Sequence, residues 1–178
     1  MPELIAAVGV ASVVVGWFVA RQHTLQLDRE RERLALIRQQ LDEFYAPIYG
    51  ILLENDRVRM HVWEQTGRRA IMFGEGEPLD EEGVRIWVHY LENYLIPNNR
   101  KILSILQNKM HLYRGLEYPN CFRDWVDYAL GYEALHSQYR GWGREYGFVS
   151  VRNFPTEFLE HIVETMSDLM REQRSVVA

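Results

Sequence analysis

Seventeen consecutive residues without a charge, Leu4 to Ala20 in LIAAVGVASVVVGWFVA, lie between Glu3 and Arg21 near the start of the chain. As a helix rising 1.5 Å per residue the run covers about 25 Å, slightly less than the ~30 Å hydrocarbon core of a bilayer. It lacks the polar punctuation of a helix with one face in water and the other in a protein core. No basic stretch precedes it, and Phe18 stands where a leader peptidase needs a small residue, so it does not read as a cleaved signal. What remains is a retained membrane anchor over residues 1–21, with Trp17 and a snorkelling Arg21 suited to one interface.

The flanking charges orient that anchor. Arg21, Arg29, Arg31 and Arg33 follow the run and no Lys or Arg precedes it, so the N-terminus is expected outside and the remainder in the cytosol. Cys121 is the single cysteine and forms no internal disulfide, which agrees with a reducing compartment. Its plain reading is a small half-buried residue at a helix start, in preference to a reactive thiol. Within the run, Ser12, Gly16 and Ala20 recur every fourth residue, and Ala7 and Ala11 form an adjacent pair. Such a stripe either lets two helices approach closely in the bilayer or reflects the ordinary abundance of small residues in spans.

Beyond Arg21 the chain carries a heptad seam. Leu27, Leu34, Leu41 and Ile48 recur every seventh residue, and Ile37, Phe44 and Ile51 take the complementary positions. No helix breaker separates the anchor from the seam, so one long helix is expected to leave the membrane and enter the domain. Residues 28–33, DRERER, are too charged for burial and read as a solvated neck. The seam suits pairing with another copy or, more commonly for so short a pattern, packing within the chain.

Pro47 is expected to kink this helix or start a new one, with a second helix from about Pro47 to Gln65. Residues 67–83, rich in Gly, Pro and acid, read as a loop, with Asp80 capping the next helix. That helix is expected to end before Pro97. Others follow from Pro97 to Gly115, from Pro119 to Gly141 and from Pro155 to Arg174, with an irregular stretch at 141–154 and an extended piece at 148–151. The composition, 47% hydrophobic and 25% charged over 178 residues, supports one folded domain with a proper core and no disordered bias. The expected fold is all-α: an anchor at 1–21, a juxtamembrane neck at 22–46 and a cytosolic bundle of five or six helices at 47–178.

Chemistry is sparse. None of the six histidines, His23, His61, His89, His111, His136 and His161, has a second histidine four residues away, and Glu133-x-x-His136 is a single copy of a motif that di-iron bundles need twice. Nucleophile-elbow, phosphate-loop and dinucleotide motifs do not occur, so no metal or cofactor is expected. The HEPN ribonucleases carry Arg, four to six residues, then His. Here Arg57–His61 and Arg85–His89 have three intervening residues, one short of that spacing. Arg57 and His61 nevertheless share a helix face on which they are the candidate catalytic pair. The most basic segment, NNRKILSILQNKMHLYRG, places Arg100, Lys101, Lys109, His111 and Arg114 as candidate contacts for an anionic partner: lipid headgroups, RNA or an acidic protein face. A solvated helix face explains the same charges. The net charge of −5 offers no general case for nucleic acid.

LDEFYAPIYGILLEND (41–56), YLIPNNRKILSILQNKMHL (94–112), Pro119–Trp125 and NFPTEFLEHIVETM (153–166) together resemble a set of uncharacterised bacterial proteins with a single N-terminal span. Those proteins carry E-F-Y-x-P followed by an apolar residue in a helical domain, and a late F-P-x-E. The resemblance covers nearly the whole chain and implies a bacterial inner-membrane origin and an accessory role. Physically, Phe44, Tyr45 and Pro47 suit a kink packed by aromatics, and Asn98, Asn99 and Arg100 suit a helix cap. In layout alone the chain is similar to small membrane effectors of antiphage and CRISPR systems, which join a span to a helical cytosolic domain. The expected function is non-enzymatic. The chain would self-assemble into a homo-oligomer that scaffolds or perturbs the lipid bilayer, in phage defence, with Ser12, Gly16, Ala20, Leu27, Leu34, Ile37 and Leu41 as assembly residues. Two alternatives stand beside it: a membrane-tethered HEPN-like ribonuclease or RNA binder, and a monomeric adaptor for a cytosolic protein.

Overall fold

The computed structural model describes residues 2–67, 79–142 and 154–177, with side chains described at Trp17 and from Ala20 to Val176 within those ranges. All regular elements among the described residues are helical. α1 (Pro2–Gln40) passes through a π-helical turn (Leu41–Tyr45) straight into α2 (Ala46–Thr66). α3 (Glu81–Tyr90) passes through a second π-turn (Leu91–Leu95) into α4 (Ile96–Lys109), which ends in a 3-10 turn (Met110–Leu112). α5 (Asn120–Trp142) and α6 (Thr156–Val177) complete the bundle.

The all-α class and the long first helix match the sequence expectation, but the boundaries at Pro47 and Pro97 do not. Both prolines lie inside unbroken rods, so the described chain forms four long helical rods where five or six helices were expected. The physical reason is the same at each place. A proline ring crowds the carbonyl four residues back, Glu43 for Pro47 and Asn93 for Pro97, and has no N–H to bond it. Immediately ahead of each proline the amide of Ala46 or Ile96 reaches back five residues, to the carbonyl of Leu41 or Leu91. This widened turn absorbs one extra residue and relieves the crowding without breaking the rod.

The remaining termini follow local rules. Asp80 Oδ1 accepts the Gly83 amide at 2.8 Å and caps α3, with Glu81 and Glu82 in the first turn. α2 stops at Gly67, whose φ of 66° is the left-handed conformation that glycine adopts without a Cβ penalty. The expected extended piece at 148–151 and most of the 67–83 loop lie outside the described residues.

Two hydrophobic clusters stack along the bundle. One joins Ile37, Leu41, Phe44, Tyr45, Ile48 and Leu52 of the first rod to Ile102, Leu106, Phe122, Trp125, Phe158, Ile162 and Leu169. Trp125 stacks on Phe158 at 5.1 Å between ring centroids, and Phe122 meets Phe158 edge-on at 5.0 Å. The other joins Val58 and Val62 of α2 to Trp87, Leu91, Leu95 and Ile96. Between them sit three buried asparagines: Asn98 Nδ2 donates to Asn55 Oδ1 at 3.0 Å, and Asn55 Nδ2 donates to Asn99 Oδ1 at 3.2 Å. Asn98 and Asn99 therefore cross-link α4 to α2 from inside the rod; they do not cap a helix as the sequence suggests.

The heptad seam divides at its midpoint. Ile37 is 3% exposed, and Leu41, Phe44 and Ile48 are buried with it, all against the chain's own helices, whereas Leu27 is 40% exposed. Leu34 and Ile51 are half-buried. Among the described residues no helix is long and apolar enough to cross a membrane. The side chains of the uncharged run, including Ser12 and Gly16, lie outside the described residues except at Trp17 and Ala20.

Candidate functional site

The feature that sets this bundle apart is the base of its first helix. Every described residue of α1 from Ala20 to Arg33 is exposed, a free neck about 20 Å long at 1.5 Å per residue. At its N-terminal end the Arg21 guanidinium lies over the Trp17 ring, 5.2 Å from the centroid. At its other end the neck meets the bundle through a carboxylate clamp. Arg33 Nε and Nη2 lie 2.7 and 2.6 Å from Glu172 Oε1 on α6, and Arg114 Nη2 lies 2.8 Å from Glu172 Oε2. Partial burial disfavours the Glu172 carboxylate, but the two guanidiniums outweigh it and hold its pKa below the ordinary glutamate value.

Two further polar contacts lock the same junction. The buried Gln40 donates from Nε2 to the Leu112 carbonyl at 3.0 Å, and the Arg114 amide donates to the Tyr45 hydroxyl at 3.0 Å. Burial pushes the Tyr45 phenol up to about 12, and its oxygen accepts from the Arg114 amide in the neutral form. Neck, π-turn and α6 are thus connected through Glu172, Gln40 and Tyr45. Nothing in the sequence marks out Glu172, one of many charged residues on α6. Gln40 carried no signal either, since Arg38 and Gln39 are equally polar neighbours between the seam positions Ile37 and Leu41.

The basic segment is largely committed within the chain. Arg100 forms a two-pronged pair with Glu133 of α5, its Nε 3.2 Å from Oε2, and this hydrogen bond lowers the Glu133 pKa. Lys109 pairs with Glu43, whose pKa is lowered by that bond. Lys101 donates to Asn98 Oδ1 at 2.9 Å, Arg114 is on Glu172, and His111 is exposed. Three of the five, Arg100, Lys109 and Arg114, therefore fasten this segment to other elements, while Lys101 bonds within α4 itself. Arg57 and His61 are both exposed on α2, and His61 Nδ1 lies 3.3 Å from Glu64 Oε2. Among the described residues no three His, Cys, Asp or Glu side chains are grouped to hold a metal.

A surface groove of about 790 Å³ runs between α3 and the end of α5. Arg85 and His89, the second Arg-x3-His pair, line it together with Glu92, Tyr139 and Arg140. Glu92 Oε1 lies 2.6 Å from Arg140 Nε and 2.9 Å from His136 Nε2. The Arg140 bond leads in depressing the Glu92 pKa. Arg85 is paired with Glu82, so both guanidiniums are matched. The other nitrogen of His136, Nδ1, is buried without a hydrogen-bond partner, which leaves this carboxylate–histidine pair no exposed ring nitrogen to take a substrate's proton. Comparison of the chain with family models, with curated proteins and with solved structures finds no significant match.

Proposed function

We propose that this chain is a single-pass protein of the bacterial inner membrane, N-terminus outside, whose cytosolic bundle stands on a helical neck and assembles with copies of itself. The observation that carries the reading is the unbroken rod from Pro2 to Thr66, in which an uncharged run leads directly into a fully exposed neck and then into the core. A helix of that kind costs conformational order along its exposed length without burying anything in its own bundle. A spacer between bilayer and domain gives that cost a purpose. The Glu172 clamp fixes the direction in which the spacer leaves the bundle, as a scaffold needs. In layout this fits a role that organises or perturbs the membrane in defence against phage, by assembly rather than by catalysis.

The membrane part is tested by washing membranes from expressing cells at alkaline pH. The full chain stays in the pellet, whereas Val14→Arg/Val15→Arg, which places two charges mid-run at roughly 2.5–3.5 kcal/mol each, moves to the supernatant. Release of the unsubstituted chain by the wash would contradict an integral span.

A further inference from the structure

Two faces of α1 carry leucines as the neck runs into the bundle, and the bundle buries only one of them, from Leu34 onward. Leu27 continues the seam, which by Leu34 has turned into the core and at Arg33 is already fastened to Glu172 of α6. Another face carries Leu25, Arg29, Glu32 and Leu36, spaced i, i+4, i+7 and i+11, so that they form one stripe along the helix. Leu25 is 43% exposed and Leu36 50%, although Leu36 lies beside Ile37 at the level of the core. Arg29 and Glu32 are exposed, and neither makes an ion pair among the described residues.

We propose that this stripe is where the neck of a second copy docks, in parallel. The inference rests on the membrane-anchored reading, because one shared bilayer imposes the parallel orientation. Charge then selects the face. At about 100° per residue Arg29 falls toward one margin of the stripe and Glu32 toward the other. In a two-fold parallel pair opposite margins meet, so Arg29 faces the partner's Glu32 and Glu32 faces the partner's Arg29, one helical turn apart. Leu25 and Leu36 each meet their own counterpart above and below that crossed pair. The seam face offers no such match. It would set Glu30 against Glu30 of the partner subunit, and α6 already occupies its lower end through the Arg33–Glu172 contact.

The test is disulfide trapping in the full-length chain, in membranes and in mild detergent, on a Cys121→Ser background. Leu25→Cys and Leu36→Cys form cross-linked dimer several-fold more efficiently than Leu27→Cys. Arg29→Glu weakens assembly measured by light scattering, and Arg29→Glu/Glu32→Arg restores it. The substituted positions are solvent-exposed, and far-ultraviolet circular dichroism checks that each variant keeps its helix content. An assembly that survives Arg29→Glu and traps equally through Leu27→Cys overturns the stripe while leaving self-assembly standing. A full-length chain that is monomeric overturns the stripe together with the reading it rests on. Cross-linking in membranes to a protein of different mass, with no dimer, overturns the second copy as occupant.

Discussion

Asn55 is the residue whose placement in the core is least expected from its type. Apolar positions flank it on both sides, Leu52 in one cluster and Val58 in the other, yet it is 5% exposed and bonded to both Asn98 and Asn99. A polar trio between two apolar clusters fixes the axial register of α2 against α4, since a shift by one turn would strand three amides in hydrocarbon. His161 shows the opposite situation. Its ring stacks on Tyr113 at 5.8 Å and meets Phe122 edge-on, while Nε2 is buried without a partner. Burial lowers its pKa, against a smaller opposing influence from Glu164. The unfolded chain therefore takes up this proton first, and stability present above about pH 6.5 is lost as pH falls toward the depressed folded value. The paired glutamates, Glu172, Glu133, Glu92 and Glu43, also have depressed pKa values and lose their contributions only below about pH 4.5. Melting temperatures at pH 7.5 and pH 5.5 separate histidine titration from that of the glutamates. The drop between them is expected to shrink in His161→Gln, and an undiminished drop would remove His161 as its source.

Among the elements, the two π-turns decide how the rods meet. Each adds one residue to an otherwise α-helical rod and so rotates everything after it by about 100° relative to an uninterrupted helix. Without the first, Ile48 and Leu52 would leave the face they share with Phe44. Deletion of the exposed Asp42 converts the turn toward α geometry and is expected to abolish the cooperative melt; a melt within a few degrees of the parent would show that the turn is dispensable. The sequence exposed much at this scale. Heptad spacing located the rod and its buried half, and Asp80 marked a true cap. What it hid were the π-turns, because a proline in an amphipathic pattern reads as a boundary, and the extra residue that accommodates it leaves no mark in composition. The same error turned Asn98 and Asn99 into caps, since they follow Pro97 as caps would follow a break. Basic residues read as one patch because spacing along a helix does not reveal that Glu43, Glu133 and Glu172 come from other elements to meet Lys109, Arg100 and Arg114.

As a whole, the molecule is a bundle on a stalk. Its first rod has three successive parts: an uncharged run, a charged exposed neck, and a seam buried against α6. Intrachain packing consumes the seam from Leu34 onward, so Ile37 and Leu41 hold the bundle together, and the proposed contact between copies falls to the neck and the uncharged run. Neck contact is weak for isolated chains in water, where holding two short stripes together costs translational freedom. On the proposed membrane-anchored reading, confinement to one bilayer removes much of that cost by raising effective concentration. Assembly is therefore expected with the uncharged run embedded and not when the chain is truncated to residues 22–178. Size-exclusion chromatography with light scattering, on the full chain in mild detergent, measures this most directly. A protein mass at a whole-number multiple of the protomer, collapsing to one protomer on truncation, is the expected result. A monomer for the full chain at the same concentrations would contradict it.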